Sequence, residues 1–465
     1  MNKKNRQSFC VRAGYGIGNL GYGVISQTIT NFFMFYGTAV LGLSGGVVGL
    51  IVAISTLWDG VSDCFIGGLS DRVKLGKFGY RNGYMLIATI GMSVVNLLIW
   101  NIPIEIADGV KYLWITICLI LIETFNTLFA TPYMALGNDI AKSANNKTLL
   151  QIYKTVAFLI AIIIPSVLMA VFLPNSIEYP IGQLNPKGYS KISVVSSIIC
   201  LVAGLICVFS TIKSANKVEH YNKSGKVGFK GLIVQFYSTL KLPRIRKLIF
   251  GYALAQIPSV ILTGLGLHFF TYCFLCSSKQ ITVLLVSLIL GTIVSQPVWF
   301  ALSKKTNRKQ SLINSIFVAL IGIFIVVFVC LFRFSLLELS YYIIIFAVFV
   351  CGFGSGGLYS LPLSLYGDEI DKLNKSNNEN MSATYLGAIT LFANLASSFV
   401  LFVVGIMLDI VGFDSKVEIQ PLLVQTFLAI MLFAGVVFAF VGAVLFFSTY
   451  DLKKRNIKHK EKQIE

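Results

Sequence analysis

The sequence predicts an all-α integral membrane protein with twelve transmembrane helices in two six-helix bundles, and three observations carry that prediction. First, 56% of the 465 residues are hydrophobic and only 12% are charged, with mean hydropathy +0.78; soluble domains carry about twice that charge density. Second, the charges fall in short runs, and the stretches between them reach the roughly 20 apolar residues that a bilayer-spanning helix needs. Third, the basic residues are unevenly shared between alternate connections. With both termini cytoplasmic, the inner segments hold 31 of the 38 Lys and Arg residues and the outer loops hold 6, Lys154 falling within a span. That asymmetry is the positive-inside pattern of a multi-pass protein of the cell membrane. It also accounts for the net charge of +18 without a nucleic-acid partner.

The spans are expected at 13–43, 45–71, 83–102, 112–140, 149–173 and 192–212, then at 248–275, 280–302, 311–332, 340–366, 383–409 and 420–449. The first is rich in glycine, with Gly14, Gly16, Gly18, Gly21 and Gly23. Small residues of this kind let membrane helices approach closely. Residues before it, MNKKNRQSFC, are basic and run into the span without a small-residue cleavage site, so they read as the start of an uncleaved helix. A polar, basic stretch around 213–247 divides the chain, giving an N-terminal bundle over 1–213, a cytoplasmic central loop over 214–247, a C-terminal bundle over 248–450 and a basic tail over 451–465. A 6 + 6 plan places a substrate site near the membrane midplane, reached from alternate sides as the bundles rock. The longest outer loop, from Pro174 to Tyr189, carries Pro174, Pro180 and Pro186 and reads as either an ordered cap or a loose link.

The nine cysteines lie in or beside apolar stretches, Cys10 excepted, which argues against a disulfide framework. Cys273-x-x-Cys276 sits at a helix end without a second pair, so no structural metal is expected. No nucleophile–base arrangement occurs within the spans, so the protein is not read as an enzyme. Neither a cofactor nor an obligate oligomer is implied, and it is expected to work as a monomer among membrane lipids.

A carboxylate inside a span costs about 2.5 to 3.5 kcal/mol even on lenient insertion scales, which makes such residues functional candidates. Asp59 and Asp63 stand four apart on the second span, on one helix face and one turn apart. Two anions so placed repel, and either a proton or a cation relieves them. Ser62 and the backbone at Gly60 offer further oxygens, the ligands hard cations prefer. On the fourth span Glu123, Asn126, Thr127 and Ala130 share a face, and Glu123 pairs on paper with Lys154 of the fifth, either as a structural bond or as a switch. Gln27, Asn31, Gln256, His268, Gln296 and Asn394 add polar groups suited to interhelical hydrogen bonds. At the inner end of the second span, Asp71 and Arg72 precede a basic run, and an acidic cluster of Asp368, Glu369 and Asp371 follows the tenth, so that pairs between them would latch a cytoplasmic gate.

These residues resemble the glycoside-pentoside-hexuronide:cation symporters of the major facilitator superfamily, over nearly the whole chain. Tyr15-Gly16-Ile17-Gly18-Asn19-Leu20-Gly21 is similar to the family's opening helix, and the run Ala39 to Ser44 to its first outer turn. The most specific match is Trp58-Asp59-x-x-x-Asp63 followed by Asp71-Arg72 and Gly76-Lys77-Phe78. Tyr359, with Asp368 and Asp371, resembles the tenth helix, and Ser382-Ala383-Thr384-Tyr385 the start of the eleventh. The resemblance implies the major facilitator fold and symport with Na+ or H+ as the coupling ion. It makes Asp59 and Asp63 the coupling carboxylates, with Ser62 and Thr127 completing the cation site. Lys154 would line the sugar cavity and Tyr359 would face the sugar. The acids of galactoside-carrying members are replaced: Gly23 and Ala130 stand where acids would be, Tyr22 where a basic residue would be, Met134 for a Trp, and Ala393 beside Asn394 for a Lys. The cation half of the site is kept and the galactoside half is not. The expectation is therefore cation-coupled transport of a small-molecule substrate of the sugar, glycoside or hexuronide class, with Lys154 suited to an anionic one. A lysolipid carrier of the same superfamily and a non-transporting membrane sensor are the alternatives.

Overall fold

The computed structural model describes residues 9–141, 144–215, 239–336, 339–377, 382–415, 417 and 419–450. Among them, twelve long helices run in chain order: α1 Phe9–Phe35, α2 Gly45–Arg72, α3 Asn82–Ile99, α4 Asp108–Ile140, α5 Ala144–Phe172, α6 Pro186–Ala215, α7 Pro243–His268, α8 Ser278–Lys305, α9 Arg308–Leu336, α10 Leu339–Asn377, α11 Ser382–Val411 and α12 Leu422–Ser448. Eleven of them are long and apolar enough to cross a membrane. The exception, α1, is long enough but carries Asn19, Gln27, Thr28, Thr30 and Asn31 in addition to its glycines.

Several boundaries differ from the sequence expectation, each for a local reason. The first and seventh spans do not continue as α-helix to 43 and 275: each passes into a π-helical turn, Tyr36–Val40 after α1 and Phe269–Cys273 after α7. Gly42, at φ 67°, then turns the chain into α2, a left-handed conformation that suits glycine. Helix α7 starts at Pro243, five residues early; proline suits a first helical turn because its missing N–H is not needed there. Lys111, expected in an outer loop, lies in the first turn of α4, buried and bonded to Asp108. Helix α10 runs past the expected end at 366, so Asp368 and Asp371 lie on the helix and not beyond it.

The chain forms two compact units. The first comprises Met1–Lys226, Ile257–Ile289 and Asn394–Val436. In it α1 is the central helix, packed against α5 and α6, while α3 lies between α4 and α6 and α2 lies on α4. The glycines of α1 explain that packing. A Cβ at Gly14, Gly18 or Gly21 would press into Ser210, Cys207 or Ala203 of α6, and one at Gly16 or Gly23 would press into Tyr153 or Ala161 of α5. Two glycine stripes thus admit two neighbouring helices. Polar pairs of the kind expected also appear: Asn82 bonds Val208 O and Thr211, and Asn96 bonds Ser193 O, Ser196 and Ser197.

In the same unit the stretch from Pro174 to Tyr189 is an ordered cap. Gln183 Nε2 donates to Cys276 O at 2.7 Å, Tyr189 donates to Gln183 O at 2.9 Å, and Tyr189 stacks on Trp100. Ser278 and Thr282 of α8 donate to Leu173 O and Ser166 O. His268, fully buried, meets Thr38 Oγ1 at 2.7 Å between the rings of Phe35 and Phe413. Cys273 Sγ contacts Gln425 O.

The second unit comprises Val227–Gln256, Leu290–Ala393 and Val437–Glu465. Its helices α9 and α10 pack along their length, with Gly322 against Cys351 and Gly354 against Ala319. At one end Lys309 donates to Ser448 O and Tyr450 O, and Lys247 to Thr449 O, closing the carbonyls at the end of α12. Tyr450 donates to Glu369, which also holds Lys372. Burial pushes the Tyr450 hydroxyl up, and its bond to Glu369 adds to that.

Candidate functional site

Helices α2 and α4 of the first unit bring the expected cation residues together. Asp59 and Asp63 lie one turn apart on α2, and α4 answers with hydroxyls at the same step. Thr127 Oγ1 donates to Asp59 Oδ1 at 3.0 Å and Thr131 Oγ1 donates to Asp63 Oδ1 at 3.0 Å. Ser62, nearly fully buried, stands 2.9 Å from Thr127 Oγ1 and 3.0 Å from Asp59 O. Thr127 gives its one proton to Asp59, and the single proton of Ser62 is shared between Asp59 O and Thr127 Oγ1. A turn further along, Trp58 Nε1 donates to Thr124 Oγ1 at 2.8 Å. Glu123 accepts from Asn126 Nδ2 at 3.4 Å, and the buried Asn126 Oδ1 has no protein donor among the described residues. No ion pair involves Asp59, Asp63 or Glu123 among the described residues.

The opposite flank of α4 is aromatic. Tyr133 stacks on Tyr15 of α1 with ring centroids 4.4 Å apart and lies beside Phe129 and Tyr22; Tyr22 in turn meets Phe129 at 5.2 Å. The Lys154 ammonium of α5 stands 5.7 Å from the Tyr133 ring centre, a cation–π contact. Asn19 of α1 donates to Lys154 O at 2.9 Å and so holds the backbone at that point. The suggested Glu123–Lys154 pair is not made: Lys154 faces the ring of Tyr133, and Glu123 is held by Asn126. Ala130 is part-buried and Met134, one turn on, is 52% exposed. Gly23 cannot carry an acid here, because the Cβ of any side chain would lie 2.9 Å from that of Ala161.

Other expected residues are placed elsewhere. Tyr359 belongs to the second unit, on α10, and is exposed. Asn394 lies on α11 in the first, where its carbonyl accepts from Ser398. Of the expected gate, Asp71 and Arg72 end α2, but their side chains lie outside the described residues. Asp368 is held by Arg308 of α9, within its own unit, and Asp371 is exposed. Arg81, read only as part of a basic run, instead binds Asp139 at 3.2 Å and Ser70 at 3.1 Å.

Thr131, Thr124, Tyr133 and Phe129 were not singled out by sequence reasoning, and Tyr15 was named only within the opening-helix motif. A signal was present for the hydroxyls, since Thr124, Thr127 and Thr131 follow the 3 and 4 residue steps of one helix face.

Twelve long helices, and a pair of acids within them that meet hydroxyl partners, define a secondary transporter of the major facilitator superfamily. The chain belongs to the family described as MFS/sugar transport protein, which it matches over residues 14–454, and within it to the glycoside-pentoside-hexuronide:cation symporter-like group. It is 23% identical to sodium-dependent lysophosphatidylcholine symporter 1-A of Danio rerio over 97% of this chain and 87% of that one. It is 26% identical to the inner membrane symporter YicJ of Escherichia coli over 43% of this chain and 42% of that one. Among solved structures, a bacterial homologue of the human lysosomal transporter Spinster, inward-facing and unoccupied, shares the fold at TM-score 0.64 and 14% identity, covering 96% of this chain and 97% of that one. Nucleoside transporter NupG does so at TM-score 0.61 and 13% identity, covering 95% and 100%.

Proposed function

We propose that this protein is a cation-coupled symporter of a sugar-class solute bearing a negative charge, working in the cell membrane with both termini cytoplasmic. The observation that carries the coupling is the doubled carboxylate–hydroxyl contact between α2 and α4. Asp59 and Asp63 repel each other in a low-dielectric setting, and among the described residues no basic side chain pairs with either, so a bound cation lowers the energy of the site. A cation that binds there and favours substrate binding is in turn bound more tightly with substrate present, because linkage is reciprocal.

For the substrate, Lys154 offers an ammonium that pairs with no carboxylate among the described residues, the part-buried Tyr22 offers an aromatic ring, and the unpaired Asn126 Oδ1 accepts from a hydroxyl. Those groups suit a hexuronate or an acidic glycoside. A lysophospholipid is the second reading. It is favoured by the full-length relationship to the sodium-dependent lysophosphatidylcholine symporters and by the exposed, apolar Met134 next to Ala130. The deciding experiment is uptake into proteoliposomes of labelled neutral sugars, glycosides, hexuronates and a lysophospholipid, each with a Na+ gradient, a pH gradient or none. Accumulation of a hexuronate or acidic glycoside under a cation gradient supports the first reading. Accumulation of the lysophospholipid alone replaces it with the second, and uptake indifferent to both gradients ends the coupling assignment.

A further inference from the structure

Helices α1 and α7 carry the same pair of hydroxyls at the same depth. Each runs into a π-helical turn, Tyr36–Val40 after α1 and Phe269–Cys273 after α7. Ser26 and Thr30 stand ten and six residues before the first turn, and Ser259 and Thr263 stand ten and six before the second. The two helices meet at that end, within the first unit, where Thr38 Oγ1 lies 2.7 Å from His268 Nε2 and the rings of Phe35 and His268 are 4.9 Å apart. With a rise of about 1.5 Å per residue, each hydroxyl pair lies roughly 9 and 15 Å along its helix from the start of the π-turn.

Packing uses the other side of each helix. Gly21 of α1 admits α6, and Ile261 of α7 lies against Gly435 of α12. Ser26 and Thr30 follow Gly21 by five and nine residues, and Ser259 and Thr263 are each two residues from Ile261, so both pairs fall on flanks turned away from those contacts. Thr30 and Ser259 are exposed, Ser26 is half-buried, and none of the three makes a hydrogen bond among the described residues. Thr28, buried on the same helix, instead donates to Val24 O at 2.7 Å. Thr263 donates to Val260 O and keeps its lone pairs as acceptors. A hydroxyl left open to hydrocarbon is costly, so the unbonded ones face water or a ligand. No charged side chain lies between Ala13 and Leu43 or between Leu248 and Leu267. These positions therefore suit a neutral, hydroxyl-rich group, whose hydroxyls donate and accept as theirs do.

We propose that Ser26 and Thr30 of α1, with Ser259 and Thr263 of α7, bind the neutral sugar part of an acidic glycoside and so select a two-part substrate over a lone hexuronate. The inference rests on the proposed function, in which Lys154 takes the acidic group. Asn19 holds Lys154 O, and it precedes Ser26 by seven residues, about 10 Å along the helix. The Lys154 ammonium lies toward the Tyr133 ring, which stacks on Tyr15 and not on the outer half of α1. One hexuronate ring does not reach both places; a hexuronate joined to a neutral sugar does. Tyr22, four residues before Ser26 on the same ridge of α1, lies between them along the helix.

The test measures uptake of two labelled probes, glucuronate and a disaccharide of glucuronate linked to glucose, into proteoliposomes of the full chain under combined Na+ and pH gradients. The native chain is expected to show a KM for the disaccharide about tenfold below that for glucuronate, the worth of one ligand hydrogen bond. In the double variant Ser26→Ala with Ser259→Ala that preference should vanish. Thr28→Val, which removes a hydroxyl bonded within its own helix, should keep it. A merely structural role would slow transport of both probes and leave the ratio of KM values alone. Equal KM values in the native chain, or a native ratio in the double variant, would overturn the inference. Should the double variant not fold, Thr30→Val must lose the preference and Thr30→Ser must keep it, and equal ratios in those two overturn the inference as well. Failure of the underlying reading is separable: uptake of neither acidic probe ends that reading and the inference with it, whereas uptake of glucuronate alone ends only the inference.

Discussion

Helix α2 meets aspartates in two places, and they are used in opposite ways. At its N-terminus Asp409, from the last turn of α11, accepts from Ser44 Oγ at 2.7 Å, Gly45 N at 2.7 Å and Gly46 N at 2.8 Å. Both its oxygens are occupied, and it neutralises the positive end of the helix dipole. The backbones touch there as well: a Cβ at Gly45 would lie 2.6 Å from Gly405 O, and one at Gly49 2.8 Å from Leu401 O. Gly412, at φ 76°, ends α11 three residues after Asp409. Near the middle of α2, by contrast, Asp59 Oδ1 accepts from Thr127 and Asp63 Oδ1 accepts from Thr131, side-chain hydroxyls in place of backbone N–H groups. The first aspartate ties two helices together, and under the proposed function the other two take a cation and release it.

The sharpest way to break this contrast is to neutralise one acid of each kind. Asp59→Asn is expected to abolish concentrative uptake in proteoliposomes while substrate exchange partly survives, and full accumulation by this variant would sink the coupling assignment. Gly405→Val should come next in size. It forces a side chain into the backbone of Gly45, where a Cβ would already lie 2.1 Å from Gly45 O, and overpacking of this kind costs about 1 to 3 kcal/mol. Lower thermal stability in detergent checks it.

Lys154 extends the contrast to a cation, lying on the aromatic flank of α4 with a ring face, and no carboxylate among the described residues, as its partner. Lys154→Ala is expected to raise KM for an anionic substrate about tenfold, the loss of one charge-assisted bond, and to leave Na+ binding unchanged. Normal transport by that variant removes the case for an anionic ligand. The smallest effect is expected from Asp409→Asn, which keeps a side-chain acceptor and loses the charge. It should reduce stability by about 1 kcal/mol while leaving the accumulation ratio intact, and a collapse of that ratio would place Asp409 among the coupling residues.

The acids were legible because a charge within an apolar stretch stands out in any reading, and their step of four residues assigns them one face of a helix. Asp409 was not. It stands at a span boundary where charges are ordinary, and its donors are 363 to 365 residues away in the chain. Tyr133 was hidden for a different reason: an aromatic in a membrane helix is unremarkable until Lys154 and Tyr15 are seen against it. The expected Glu123–Lys154 pair failed because opposite charge in two neighbouring spans says nothing about rotation of each helix around its axis, which the glycine stripes of α1 decide by seating α5 and α6.

The sequence by itself determined the membrane as solvent, the succession of long helices, the family and the paired acids within the second span, since these follow from composition, from periodicity along one helix and from a local motif. Only the tertiary structure decided which hydroxyl faces which carboxylate, which residues meet Lys154 and which aspartate is saturated. Those are contacts between helices, and their energies depend on the register and rotation of one helix against another, quantities that no single segment of the chain contains.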